Sequence, residues 1–152
     1  MSHSEAEFKH IVRVAGVDVD GSLKVVHGLA TIKGVGVNLA KMILRVAGIS
    51  HEMRMGYLTE QQVKRIEDIL KDPLKYGIPA WALNRQRDPR TGADLHYIGA
   101  DLEYVIKSDI ELMKRIKCWK GLRHAWGLKV RGQRTRTTGR KGMAVGVTKK
   151  PK

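Results

Sequence analysis

Every acidic residue of this chain lies at or before Glu111, and that asymmetry limits what the polymer can fold into. Residues 1–111 carry fifteen Lys or Arg and fifteen Asp or Glu, whereas residues 112–152 carry the other fourteen basic residues and no acid. The whole formal charge of +14 therefore sits on the C-terminal stretch. Charge concentrated in this way repels itself and opposes compaction, so this stretch is expected to order against a polyanion. A length of 152 residues allows one sizeable core, or a small core with an appendage. The periodic apolar positions fall almost entirely in the neutral part, so the core belongs there.

The polyanion is either a nucleic acid or an anionic membrane surface. No run approaches the ~18 consecutive apolar residues of a bilayer span, and the opening MSHSEAEFKH lacks the apolar stretch of a signal peptide. After Trp126 the chain reads GLKVRGQRTRTTGRKGMAVGVTKKPK, without an aromatic residue. A membrane-seeking helix needs an apolar face. Here Gly127, Gly132, Gly139, Gly142 and Gly146 interrupt any helix, each interior glycine costing ~1 kcal/mol relative to alanine. Nucleic acid is the expected partner. The single cysteine, Cys118, excludes an intrachain disulfide and suits a reducing, intracellular setting. It reads as a small buried thiol.

Along the neutral part, residues 8–20 alternate loosely and suggest one short extended segment, closed by a turn at Asp20-Gly21. Ser22 is placed to cap a helix with Leu23, Val26, Leu29 and Ala30 at helical spacing. The Ile32-Lys33-Gly34-Val35-Gly36 hairpin leads into a helix over 37–47, with Leu39, Ala40, Ile43, Val46 and Ala47 on one side and Gly48 as terminator. Thr59 and Gln62 form a capping box for a helix over 60–70, whose core stripe is Val63, Ile66, Ile69 and Leu70. Asp72-Pro73 ends it. Residues 73–99 read as an irregular insertion anchored by Ile78, Trp81 and Leu83, too long to be an idle connection. The longest helix is expected over 101–119, burying Leu102, Val105, Ile106, Ile110, Met113 and Ile116, with Gly121 closing it.

Two features ask for phosphate. In the Gly34-Val35-Gly36 hairpin, glycine permits positive φ and close backbone approach. The following helix starts there, so its unpaired N–H groups and positive dipole end face outward. Lys33 and Lys41 add charge on either side. Alone, a G-x-G between helices is also an ordinary tight turn; the basic C-terminal stretch favours the phosphate seat. In that stretch Arg131, Arg134, Arg136 and Arg140 alternate with Gly, Gln and Thr, and Lys141 adds a further cation. On an extended chain Arg134 and Arg136 share one side, ~6.6 Å apart. With no stacking aromatic after Trp126, the tail is expected to grip folded backbone by shape.

Catalytic chemistry finds no support. There is no CxxC, and His51-Glu52 lacks the second histidine of HExxH, so neither metal nor cofactor is expected. No phosphate-binding loop of the nucleotidase kind is present, and Glu60, Glu67 and Asp68 read as solvated helix charges. His124, beside Arg123, reads as a hydrogen-bonding group for RNA or backbone and not as a base.

Lys120-Gly121-Leu122-Arg123-His124, then Gly127, then Val130-Arg131-Gly132-Gln133-Arg134-Thr135-Arg136 closely resembles the signature of the small-subunit ribosomal protein S thirteen family, whose eukaryotic member is called S eighteen. The resemblance extends upstream through Arg13-Val14-Ala15-Gly16-Val17, Ile32-Lys33-Gly34-Val35-Gly36 and Leu58-Thr59. The 73–99 insertion, with Ile78-Pro79-Ala80-Trp81 and Asn84-Arg85-Gln86, and the Thr138-Gly139-Arg140-Lys141-Gly142 run look like the archaeal and eukaryotic branch. The resemblance implies a mainly α fold: a helix-two-turn-helix globular domain with a long helix over 1–120, and an extended basic RNA-binding tail over 121–152. It implies a cytoplasmic, ribosomal location in the small-subunit head. The implied partners are small-subunit ribosomal RNA, small-subunit protein nineteen, large-subunit protein five and large-subunit RNA at inter-subunit bridges, and peptidyl-site transfer RNA at the extreme tail. RNA contact falls by motif to Arg123, His124, Arg131, Arg134 and Arg136, with the hairpin glycines as a second site.

Two rivals carry less. Certain DNA-repair glycosylases share the helix-two-turn-helix module, but Ser2 and His3 stand where their catalytic proline and glutamate would be. A DNA-packaging protein would share the charge and lack the signature.

Overall fold

The computed structural model describes residues 8–138. Arg140 and Lys141 lie outside the described residues. In chain order the elements are strands β1 (Ile11–Val14) and β2 (Val17–Asp20), then helices α1 (Val25–Ala30), α2 (Val37–Ala47), α3 (Glu60–Lys71), α4 (Gly99–Arg115) and α5 (Trp119–Ala125). Short 3-10 turns cover Met55–Tyr57, Pro73–Tyr76 and Ala80–Ala82. The fold is mainly α with one long helix and a small two-stranded sheet. The chain divides into two compact units between Tyr104 and Val105, within α4.

The single extended segment expected over 8–20 is a hairpin. Val12 pairs with Val19 and Val14 with Val17, antiparallel. Ala15 and Gly16, at φ 50° and 77°, make the tight turn, whose twist matches that of the strands. The alternation noted in the sequence was two strands, and its turn signal lay in the Ala-Gly pair. Glu67, expected to be solvated, is half-buried and accepts the Ala15 amide at 2.8 Å, tying α3 to this turn. Ser22 caps nothing. Its N–H donates instead to Asp20 Oδ1 at 2.8 Å, and α1 begins only at Val25, after an N-cap Lys24 that lacks a side-chain cap.

The next two helices follow the sequence closely. α2 buries Leu39, Ala40, Ile43, Leu44 and Ala47 and ends at Gly48 with φ 72°. The Ile49 amide then reaches back to the Leu44 carbonyl at 3.0 Å. α3 starts with both bonds of the capping box, Gln62 N–H to Thr59 Oγ1 and Thr59 N–H to Gln62 Oε1. Leu29, Ile43, Leu44, Ile66 and Ile69 are at most 1% exposed at the centre of the core, under the valines of the hairpin. Each such side chain contributes roughly 1.5–3 kcal/mol by leaving water.

Residues 73–99 are more organised than an irregular insertion. Ile78 and Leu83 are buried anchors, but Trp81 is 69% exposed and anchors nothing. The polar run is internal scaffolding. Asn84 donates from Nδ2 to the Tyr97 carbonyl at 2.6 Å and accepts the Tyr97 amide at 3.0 Å. The buried Asp88 accepts from Arg85 Nε at 2.8 Å and from the Arg90 and Thr91 amides and the Thr91 hydroxyl. The Arg85 hydrogen bond, followed by those from Thr91 and Arg90, holds the Asp88 carboxyl below its ordinary value. Burial pushes the His96 imidazole down, which suits its Nδ1 as acceptor of the Asn84 amide at 3.4 Å.

The expected 101–119 helix is α4 over most of its length, but it ends early, and α5 begins at Trp119 after a break. α4 stops at Arg115, and Lys117 adopts φ 56°, a left-handed conformation that ends a helix even without glycine. None of the α4 residues is buried; Ile106 and Ile116 of the expected stripe are exposed. Helical spacing selects an apolar face but supplies no cover for it. Gly121 does not close a helix either. It lies inside α5, where a Cβ would collide with the Met113 carbonyl. Cys118 is half-buried and acts as the α5 cap, its Sγ accepting the Gly121 amide at 3.4 Å and lying 3.5 Å from the Met113 carbonyl oxygen.

Candidate nucleic-acid interface

The first group of expected phosphate ligands surrounds the start of α2. Gly34 has φ 99°, and a Cβ there would lie 2.5 Å from the Tyr97 carbonyl oxygen and 3.2 Å from the Leu102 side chain. The Gly99 amide also donates to the Lys33 carbonyl at 2.8 Å. Gly34 is therefore needed so that the 84–102 segment can pack onto the hairpin. The close approach foreseen for a partner's backbone is made by this chain's own.

Gly36 differs. It is exposed, at φ −96° and ψ 168°, and a Cβ there meets nothing within 4 Å. As the N-cap of α2 it provides no side-chain acceptor, and the first turn of α2 holds no acid. α3, by contrast, has its capping box and Glu60 in the first turn. The α2 terminus thus keeps its amide hydrogens and dipole end available to an external anion. Lys33 and Lys41 are both exposed beside it. Lys33 Nζ already forms an ion pair with Glu103. Nothing in the spacing signalled that partner, seventy positions away.

The second group lies in α5 and the segment after it. Lys120 is exposed, while Arg123 and His124 are half-buried. Arg123 Nε and Nη2 both donate to the Lys129 carbonyl, at 3.0 and 2.8 Å. The Leu128 amide returns to the Arg123 carbonyl at 3.0 Å, closing a compact loop after α5. The Arg123 guanidinium also lies 5.8 Å from the Trp119 ring centroid. Its fork is thus largely engaged within the protein, which its place in a charge run did not reveal. Arg131, Arg134 and Arg136 are exposed, in a stretch with neither helix nor strand. Among the described residues no cluster of His, Cys, Asp or Glu has the arrangement of a metal site, and no helix is long and apolar enough to cross a membrane.

The sequence profile described as "Ribosomal protein S13/S18" matches residues 13–141. The chain is 62% identical over 147 residues to small ribosomal subunit protein uS13 of Staphylothermus marinus, covering 97% of each chain. It is 55% identical to uS13 of Hyperthermus butylicus, covering 96% of this chain and 97% of that one, and 51% identical to uS13 of Aeropyrum pernix with the same coverage. These relatives are archaeal. The matched span takes in the hairpin, the capped α3, the arginine-closed loop and the whole arginine run, and the chain belongs to the ribosomal protein S13/S18 family.

Proposed function

We propose that this chain is a structural constituent of the small ribosomal subunit, held in the subunit head by ribosomal RNA and helping to bridge to the large subunit during translation. The family is structural and not enzymatic, and the relatives' names, small ribosomal subunit protein uS13, support a setting in the cytoplasmic ribosome. RNA binding rests chiefly on one observation: fourteen basic residues and no acid over residues 112–152. The exposure of Arg131, Arg134 and Arg136 supports their role as phosphate ligands of the tail, which starts functionally at residue 121 and includes Arg140 and Lys141. Lys120 joins them. Arg123 and His124 act at its root, Arg123 chiefly by holding the loop that aims it.

The uncapped α2 terminus supports a second seat at Gly36, flanked by Lys33 and Lys41, with Gly34 shaping the turn. The α2 and α3 helices, separated by the turns of residues 48–59, fit a helix-two-turn-helix module. Small-subunit protein nineteen, large-subunit protein five with its RNA, and peptidyl-site transfer RNA are the partners that family membership suggests.

Sedimentation of a cell lysate with and without ribonuclease tests the reading. The protein is expected in the small-subunit peak and should leave it after ribonuclease treatment. Retention on deoxyribonuclease-sensitive material would instead identify a DNA-packaging protein.

A further inference from the structure

We propose that Trp119 and Trp126 form a stacking site for an unpaired RNA base at the root of the basic tail. The proposal rests on the RNA-binding reading above and adds a contact that the tail itself has no aromatic residue to make. The two rings are 66% and 59% exposed, an unusual placement for the two largest side chains of a short helical segment. Their centroids are 6.3 Å apart and their planes meet at 87°. In this edge-to-face contact the edge of one indole meets the face of the other, so a base stacked on the edge-on ring is bounded at its own edge by its neighbour.

The corner is also held in place. Arg123, which lies over Trp119, is fixed by its two bonds to the Lys129 carbonyl, and the Trp126 amide donates to the Leu122 carbonyl at 3.0 Å. A platform fixed before binding loses little side-chain entropy when a base arrives.

Charge selects the occupant. No acid occurs from residue 112 onward, and Lys120 is exposed on the same helix. An RNA strand brings a phosphate with every base, so one ligand satisfies both the indoles and the surrounding cations. An apolar protein surface would satisfy only the indoles. A base within a duplex cannot present its face, so the ligand is an unpaired nucleotide.

Tryptophan emission of the full chain tests this directly. Trp81→Phe removes the third tryptophan, an exposed one, and leaves emission to the corner alone. Titration with oligoadenylate is expected to quench that emission, while an abasic ribose-phosphate strand of equal length binds through the cations without quenching. Trp119→Ala, and separately Trp126→Ala, should weaken oligoadenylate binding about tenfold and leave abasic-strand binding unchanged. The quenching arm needs no change at the corner, so a poorly folded alanine variant does not decide the outcome. Binding of oligoadenylate with no more quenching than the abasic strand overturns the stacking site and leaves the RNA-binding reading intact. Binding of neither strand overturns both. Emission indifferent to RNA yet shifted by RNA-free small-subunit proteins identifies a protein occupant, and equally overturns the proposal.

Discussion

Gly34 and Gly36 stand two positions apart in one motif and are glycines for different reasons. At Gly34 any Cβ is held at φ 99° and driven toward the Tyr97 carbonyl, so Gly34→Ala should destabilise the free protein by about 2–4 kcal/mol. At Gly36 the backbone is ordinary and the space open, so Gly36→Ala should cost no more than about 1 kcal/mol. Thermal melting of the two variants without RNA decides this, and equal losses would refute the assignment. Glu103 offers a second test. Its ion pair with Lys33 is exposed, and such pairs contribute at most about 1 kcal/mol. Glu103→Gln should leave melting nearly unchanged while freeing Lys33 for phosphate, steepening the log–log salt dependence of RNA binding by up to about 0.7–0.9 units. An unchanged slope would show that Lys33 does not face the RNA. At this scale the sequence was legible wherever one residue's conformation or its chain neighbours decide, as at Gly48 and in the Thr59–Gln62 box. It was not legible where a distant segment decides. Trp81 had the composition of an anchor and found no core, Cys118 became a cap, and Asn84 proved to be a backbone clasp because Tyr97 lies opposite it.

α2, like α1, starts without a side-chain cap, and at its exposed Gly36 a designed cap separates stability from binding. Gly36→Asp places a carboxylate at a backbone conformation that suits an N-cap, which should raise stability by about 0.5 kcal/mol. The same carboxylate would occupy the amides offered to phosphate, so RNA binding should weaken although the protein melts higher. Binding that improves along with melting would remove the phosphate seat from α2. The 73–99 segment makes an acid-sensitivity prediction. His96 is held below its ordinary value by burial, so the folded segment disfavours the proton that the unfolded chain accepts, and stability should begin to fall below about pH 6.5. Asp88 is held below its ordinary value first by Arg85, so its stabilisation is present above about pH 4 and is lost as pH falls through its lowered folded value. Hydrogen exchange at the Arg85 and Leu95 amides, which pair at 3.2 and 2.7 Å, should report both steps. His96→Asn should abolish the upper step and Asp88→Asn the lower. The positions of α2 and α3 followed from periodicity and caps. The division of the expected long helix at Lys117 did not, because α4 and α5 are joined by a positive φ carried by lysine, a residue with no such signature.

For the whole molecule, charge and fold make separate demands. The core is built from residues 12–83, where acids and bases intermix, and removal of the tail charge should not disturb it. Charge order along the chain was readable because net charge needs no geometry; the C-terminal loop was not, since it depends on Arg123 meeting the Lys129 carbonyl in space. That difference gives the arginine run a clean test. Arg131, Arg134 and Arg136 are exposed, so replacing all three with alanine should leave melting of the free protein within about 0.5 kcal/mol of its original stability. If each neutralises one phosphate and releases its counterion, the log–log salt slope of RNA binding should flatten by about 0.7–0.9 units per arginine. Arg123→Ala should act differently. It opens the loop that sets the direction of the tail while removing a cation already engaged with the protein, so affinity should fall with a much smaller change in slope. Measured by titration at several salt concentrations, a full unit of slope lost on Arg123→Ala, or an unchanged slope in the triple variant, would reverse these roles and make the loop arginine the phosphate ligand.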